Sequence, residues 1–229
     1  EKQRLRWDIL EAFADAAVEA GIPRSDDFNS GDNEGVGYFE VNQKSGWRWN
    51  TSKAFLRPVL GRANLSVWTH AHVERLTFEI DDTGQKRCAG AVLRRQGQTI
   101  EVRASRELVL SAGAIGSPHI LQLSGVGPAS LLRGHGIEVV HELPGVGENL
   151  QDHLQIRAVF KVSHAKTLNM LASSLSGKAR IALEYALRRS GPMSMSPSQL
   201  GAFSRSDAAQ PYANLEFHVQ PLSLDAFGE

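Results

Sequence analysis

Cysteine is nearly absent from this 229-residue chain, which has Cys88 alone and so forms no disulfide within itself. That scarcity fits a reducing compartment, and we expect a cytoplasmic location. The chain also lacks an excess of either charge, because 25 lysines and arginines balance 25 aspartates and glutamates. Without a basic field, no nucleic acid is expected as a partner.

Long hydrophobic runs are missing too. No apolar stretch approaches the roughly 20 residues of a membrane span, and no signal peptide opens the sequence. The stretch KARIALEYALRRSG predicts an amphipathic helix with a basic end, which leaves peripheral membrane association open. Arg188 and Arg189 before Gly191 suit a helix C-terminus equally well, and a solvated helix face is the preferred interpretation.

Two further absences concern cofactors. His70 and His72 lie two residues apart, but no third ligand has metal-site spacing, so no metal is expected. The dinucleotide fingerprint G-x-G-x-x-G is also missing, since every G-V-G triplet lacks the third glycine. Without that glycine a pyrophosphate loses its close backbone approach, which disfavours a nicotinamide-dependent dehydrogenase.

The patterns that are present predict a mixed α/β fold. Apolar spacing in RLRWDILEAFADAAVEAG predicts a helix, and the Gly- and Asn-rich stretch from Asp26 to Asn50 predicts a long irregular segment. A short helix is expected over residues 52–56. From Leu65 the period changes to alternation, so LSVWT, VERLTFEI, CAGAVLR and TIEVRA predict a small antiparallel meander.

The stretch GAIGSPHILQLSGVG, from Gly113 to Gly127, raises a sharper question because it holds four glycines. The preceding ELVLSAGA predicts a strand buried on both faces. Ser117 and Pro118 then predict a helix start, with the helix running through Leu123. The small residues between strand and helix either form the wall of a site for a bulky ligand or simply permit close strand–helix packing. After this stretch, PASLLRGHG predicts a second short helix and IEVV a short strand.

Several separated motifs resemble those of one family. GAIGSPHILQLSGVGP resembles the second signature of the glucose–methanol–choline (GMC) family of FAD-dependent oxidoreductases. NLSVWTHAHVERL, ELPGVGENLQDHL, GPMSMSPSQLGAFSRS and NLEFHVQPL resemble further segments of that family, in the same order. The resemblance runs from about Asn42 to the end. The segment ELPGVGENLQDHL has a form typical of choline dehydrogenases and related alcohol dehydrogenases.

The resemblance implies a partial FAD-binding α/β domain with a β-meander over residues 1–152. The start of an antiparallel-sheet substrate domain would follow over residues 153–229. It also implies FAD as cofactor, with contacts at Val73, through its backbone, and at Ala112 and Gly113. The chain begins at Glu1 without a methionine and lacks the family's fingerprint, so we expect it to be an internal fragment.

The parent enzyme would oxidise a primary alcohol, choline-like or other, by hydride transfer to flavin. The resemblance places the family's catalytic histidine and its partner beyond Glu229, so no catalytic residue is expected within this chain. The chain alone is therefore expected to be inactive. It is also expected to form oligomers. A non-catalytic interaction module is the alternative. His218 is expected to be a hydrogen-bonded structural residue rather than a base, and Asp207 or Glu216 are candidates for pairing with a cationic substrate.

Overall fold

The structure, a computed structural model, describes residues 1–223. The mixed α/β prediction is confirmed, and every sheet with three strands is antiparallel. The elements within the described range are, in chain order, α1 Asp8–Glu19, β1 Gly35–Tyr38, β2 Gln43–Lys44, β3 Trp47–Arg48, β4 Ala71–Ile80, β5 Lys86–Arg95, β6 Gln98–Arg103, α2 Gly113–Leu123, β7 Val126–Gly127, α3 Ala129–Gly134, β8 His141–Glu142, α4 Leu168–Leu171, α5 Leu175–Arg188, β9 Leu200–Ser204 and β10 Leu215–Val219.

The chain divides into two compact units. The first joins residues 1–62 to the chain from Arg157 onward, so it is assembled from both ends of the sequence. The second is continuous from Ala63 to Ile156. The expected assignment of residues 1–152 and 153–229 to cofactor and substrate domains concerns function, and it stays a prediction.

The core of the first unit forms where α1 packs on a three-stranded sheet. Strand β9 is central, with β1 and β10 antiparallel on either side. Leu10 and Ala14, four residues apart on one face of α1, are fully buried with Val36 and Ala202. This confirms the predicted N-terminal helix, and full burial of a leucine such as Leu10 contributes about 1.5–3 kcal/mol.

The predicted irregular segment over residues 26–50 is partly wrong. It contains β1 and the two-residue hairpin strands β2 and β3. The hairpin turns through Ser45 and Gly46, both with positive φ, as tight hairpin turns require. The sequence pattern hides β1 because the strand is short and glycine-rich, and its pairing partner β9 lies far along the chain. The short helix predicted next is confirmed as a π-helical turn, Ser52–Leu56.

The meander is the main element of the second unit. Strands β4, β5 and β6 pair in that order, as the predicted meander requires, and turns at residues 81–84 and 96–97 connect them. The expected first strand, LSVWT, is wrong: residues 65–69 are not part of a strand, and Val67 and Trp68 are each nearly half exposed. The strand predicted for IEVV, residues 137–140, is also misplaced. The observed strand β8 begins at the next residue, His141, and pairs with β7.

The expected buried strand ELVLSAGA is the clearest correction. Residues 107–111 form no strand, and Val109 is 78% exposed. A strand needs neighbours to pair its backbone groups, and no other part of residues 1–223 pairs with this segment. Helix α2 also begins earlier than predicted, at Gly113 rather than Ser117, so that Pro118 lies inside the helix.

Candidate cofactor-contact site

Helix α2 is held against strand β4 by one buried hydroxyl group. The Ser124 hydroxyl accepts a hydrogen bond from the Leu76 backbone N–H at 2.7 Å and donates to the Ile120 carbonyl. Both Ser124 and Leu76 are buried. This contact joins the two elements that carry the predicted FAD contacts, since Val73 lies in β4 and Gly113 begins α2.

Val73 lies beside a β-bulge at an open sheet edge. It pairs with Leu93 of β5, and the register shifts between Val73 and Arg75. Strand β4 has no neighbour on its other side within the described chain. The Leu76 N–H points away from β5, toward Ser124. Successive residues of a strand alternate in the direction of their N–H groups, and the one extra residue of the bulge shifts that alternation by one. The N–H and C=O of Val73 therefore point to the same open edge as the N–H of Leu76. A backbone contact at Val73 is therefore sterically possible.

Ala112 and Gly113 lie at the exposed N-terminal end of α2. Gly113 has φ +85°, a conformation that strains any residue with a side chain. Apart from its two chain neighbours and the backbone of its own helix, no described atom lies within 4 Å of the position that a Cβ would take there. Close strand–helix packing therefore does not explain Gly113 in this chain. The positive φ and the open space fit a backbone that lies against a large ligand.

The predicted helix-capping residue Ser117 has a different role. Its hydroxyl accepts the Ala112 backbone N–H at 2.9 Å, from within the first turns of α2. This bond fixes the small-residue turn that precedes the helix. Downstream, Gly125 is a packing glycine, because a Cβ there would overlap the Glu138 carbonyl. The four glycines of the stretch thus serve at least two separate purposes.

A groove of about 360 Å³ lies at the opposite end of α2 from Gly113. It contains none of the three predicted FAD contacts. Its lining residues are Arg75, Leu76, Thr77, Phe78, Leu123, Ser124, Glu138 and Val140. Since Leu76 and Ser124 already satisfy each other, this groove follows from the docking of α2 on β4.

The predicted hydrogen bond of His218 is confirmed. Its Nε2 lies 2.8 Å from a carboxylate oxygen of Glu216, two residues away on the same face of β10. Asp207 closes a turn, where its carboxylate accepts the Ala209 N–H at 2.8 Å. Both carboxylates that the sequence suggested for a cationic group therefore already have protein partners.

A second cavity, which sequence reasoning missed, lies in the first unit. We call it the acidic aromatic cavity. Its lining residues are Asp26, Asp27, Phe28, Asn29, Asn33, Tyr38, Phe39, Glu40 and Phe203. The available signal was the recurrence of aromatic and acidic residues in DDFN, which precedes β1, and in GYFE, which spans the end of β1.

Comparison with known proteins identifies the class to which this fold belongs. The GMC oxidoreductase family model matches residues 4–155, and the chain therefore belongs to that family. Among curated proteins, an alcohol dehydrogenase [acceptor] of Pseudomonas putida is 36% identical over 96% of this chain. The mitochondrial choline dehydrogenase of Mus musculus is 38% identical over 93% of it. The chain covers only 39% and 35% of these two relatives.

Solved structures of this family share the fold. An FAD-dependent oxidoreductase from Chaetomium thermophilum matches with a TM-score of 0.74 at 26% identity, over 89% of this chain and 35% of its own. A fungal aryl-alcohol oxidase matches with a TM-score of 0.76 at 26% identity, over 88% and 34%. The resemblance inferred from the motifs is confirmed.

Proposed function

We propose that the chain forms part of an FAD-dependent oxidoreductase that oxidises a primary alcohol. Its own contribution would be to hold the adenosine part of FAD, through the backbone at Val73 and the small-residue turn at Ala112 and Gly113. The observation that carries this proposal is Gly113, with its left-handed backbone beside open space at the start of α2. The names of the relatives, which include alcohol and choline dehydrogenases, support the alcohol as substrate.

In this proposal the flavin and the protein have different roles. When bound, the flavin supplies the acceptor for the hydride of the alcohol. The exposed backbone at Gly113 and the open edge at Val73 position the cofactor and leave its redox chemistry unchanged. We propose no catalytic base within residues 1–229. In this proposal the proton is taken by a histidine elsewhere in the parent enzyme.

The test uses the complete polypeptide that contains this chain. Gly113→Val is expected to lower the flavin-to-protein ratio, measured from absorbance spectra, because the side chain strains the turn and occupies the open space. Gly136→Val is the matched control, since Gly136 also has positive φ and open space but lies away from the site. Equal, full flavin loading of both variants would contradict the assigned contact.

The reaction is tested separately. The complete polypeptide, loaded with FAD, is assayed for reduction of an artificial electron acceptor with choline and a range of primary alcohols. Turnover that follows the protein through purification is expected. The 229-residue chain with added FAD is expected to give only background reduction. No turnover by the loaded complete polypeptide would refute the proposed oxidation.

A further inference from the structure

Helix α5 is attached to the first unit along one side only. The Tyr185 hydroxyl donates a hydrogen bond to the Gly46 carbonyl at 3.1 Å, and the Tyr185 ring packs edge-on against Trp47 of the β2–β3 hairpin. Ile181 and Glu184, like Tyr185, are only partly exposed. These residues therefore define the side of the helix that faces the protein.

The opposite side of α5 is apolar and open to solvent. At about 3.6 residues per turn, three leucines and three exposed alanines of the helix fall on one continuous stripe. Leu175 is 86% exposed, Leu183 58% and Leu187 74%. An ordinary surface helix turns its apolar stripe toward the core, whereas this stripe is turned away from it. We call the stripe the α5 outer face, and its residues are Leu175, Ala179, Ala182, Leu183, Ala186 and Leu187.

Basic side chains border the α5 outer face on both sides. Helical spacing places the exposed Lys178 along one edge and the exposed Arg180 along the other. Neither side chain has a hydrogen-bond or ion-pair partner within residues 1–223. The one acidic residue of the helix, Glu184, lies on the protein side, where its carboxylate accepts the Ser190 hydroxyl at 3.1 Å. The exposed side of α5 is therefore apolar with a positive border.

This charge pattern favours an anionic surface as the partner over a second copy of the chain. Pairing the outer faces of two α5 helices would bring four positive borders together, and like charges oppose such a contact. A planar surface of acidic lipid headgroups meets both borders with the opposite charge. The long lysine and arginine side chains extend their charges to the headgroups while the leucines enter the apolar layer below.

The length of α5 determines how it would lie. Its 14 residues span about 21 Å, which is shorter than the roughly 30 Å of a bilayer's hydrocarbon core. A helix of this length with one apolar face and basic borders lies parallel to the membrane surface.

We propose that the α5 outer face binds the surface of an anionic lipid membrane, with the helix parallel to the bilayer plane. Leu183 and Leu187 enter the boundary between headgroups and acyl chains, and Lys178 and Arg180 contact the acidic headgroups. This surface is made from residues of the first unit. It needs neither flavin nor an alcohol, so it is independent of the proposed oxidation.

The test is flotation with lipid vesicles on a density gradient, which separates vesicle-bound protein from self-associated protein. Vesicles of phosphatidylcholine and phosphatidylglycerol in equal amounts are compared with vesicles of phosphatidylcholine alone. Both the complete polypeptide that contains this chain and the 229-residue chain are expected to float with the mixed vesicles. Binding to phosphatidylcholine alone is expected to be at least tenfold weaker, because each basic residue at an anionic surface strengthens binding roughly fivefold. Added salt is expected to weaken binding to the mixed vesicles.

Charge variants test the basic borders. The double variant K178Q/R180Q is expected to weaken binding to the mixed vesicles about 25-fold, since it removes two contributions of roughly fivefold each. The matched control is R106Q/R133Q, which removes two exposed arginines of the second unit and is expected to bind as the wild type does.

Apolar variants test the leucines. Leu183→Ser and Leu187→Ser are each expected to weaken binding roughly tenfold, because each removes an apolar side chain that enters the membrane. Both leucines are exposed, so the fold is expected to be unchanged in circular dichroism. Ile80→Ser is the control, since Ile80 is 70% exposed in the second unit.

A fluorescent label provides a readout that does not depend on loss of binding. Ala182→Cys in a Cys88→Ser background is labelled with an environment-sensitive fluorophore on the α5 outer face. Its emission is expected to shift to shorter wavelength when mixed vesicles are added. The same label at Ser105→Cys, on an exposed site of the second unit, is expected to show no shift.

Four results would overturn the proposal. They are equal binding to the two kinds of vesicle, unchanged binding of the K178Q/R180Q variant, a label at position 182 whose emission does not move, and a Leu183→Ser variant that dissociates a dimer while vesicle binding is unchanged. Flotation of the 229-residue chain without flotation of the complete polypeptide would likewise refute it, because another part of the parent protein would then cover α5.

Discussion

Ser124→Ala removes the hydroxyl that joins α2 to β4. In the wild type, the Leu76 N–H donates to Ser124 at 2.7 Å, and the two residues are only 6% and 7% exposed. Without the hydroxyl, the Leu76 N–H stays buried with no acceptor. A buried donor left without a partner costs about 1–3 kcal/mol, so the second unit is expected to lose that much stability.

Hydrogen exchange followed by mass spectrometry measures this loss locally, in peptides that cover β4 and β5. Where exchange reports the opening equilibrium, about 1–3 kcal/mol corresponds to exchange roughly 5- to 140-fold faster. Peptides of the first unit, such as those of α1, are expected to exchange as in the wild type. Ser105→Ala, at an exposed serine outside the strands, is the control. If Ser124→Ala exchanges no faster than this control, the hydroxyl does not hold the helix in place.

Three other predictions concern stability, ionisation and association. Burial and a hydrogen bond to a neighbouring carboxylate raise the pKa of Tyr38 to about 12, so its stabilising contribution is complete below about pH 10 and is lost as the pH rises toward 12. Ultraviolet titration of tyrosinate is expected to show a late phase that Tyr38→Phe removes. The Arg189 guanidinium lies 4.2 Å from the Trp47 ring centroid, so Arg189→Met is expected to lower the free energy of unfolding by about 0.5–2 kcal/mol in urea titrations; an unchanged midpoint would contradict this. The isolated chain is expected to self-associate through a segment without helix or strand in which Ile156 is 90% and Phe160 80% exposed. The variant I156E/F160E is then expected to elute later in gel filtration than the wild type, and a wild-type monomer at all concentrations would refute the role of this segment.

The local sequence pattern was sufficient to predict some helices and strands and insufficient to predict others. Strands β4 to β6 and helix α1 could be predicted because their alternation, spacing and turn residues lie close together in the sequence. The segment over residues 107–111 has the composition of a buried strand, yet composition cannot supply the neighbouring strands that such a segment needs. Strand β1 was missed for the opposite reason, since its four residues carry little pattern and its partner β9 is remote.

The candidate sites show the same limit. Val73, Ala112 and Gly113 could be named because a family motif passes through them, and the structure adds a reason for Gly113 in its φ of +85°. The acidic aromatic cavity could not be derived, because Phe203 comes from β9 whereas the other lining residues come from the end of β1 and from the segments that flank it. Only pairing of β1 with β9 brings these residues together.

The assembly of the first unit from both ends of the chain has a consequence for biosynthesis. Strand β1 is complete at Tyr38, but its partner begins only at Leu200. At translation rates of roughly 5–20 residues per second, β9 leaves the ribosome about 10–30 s after β1 does. Throughout that interval the apolar face of α1, with Leu10 and Ala14, has no sheet to cover it. The continuous second unit can form during this interval, so within this stretch of chain the later unit in sequence can fold before the first unit is complete.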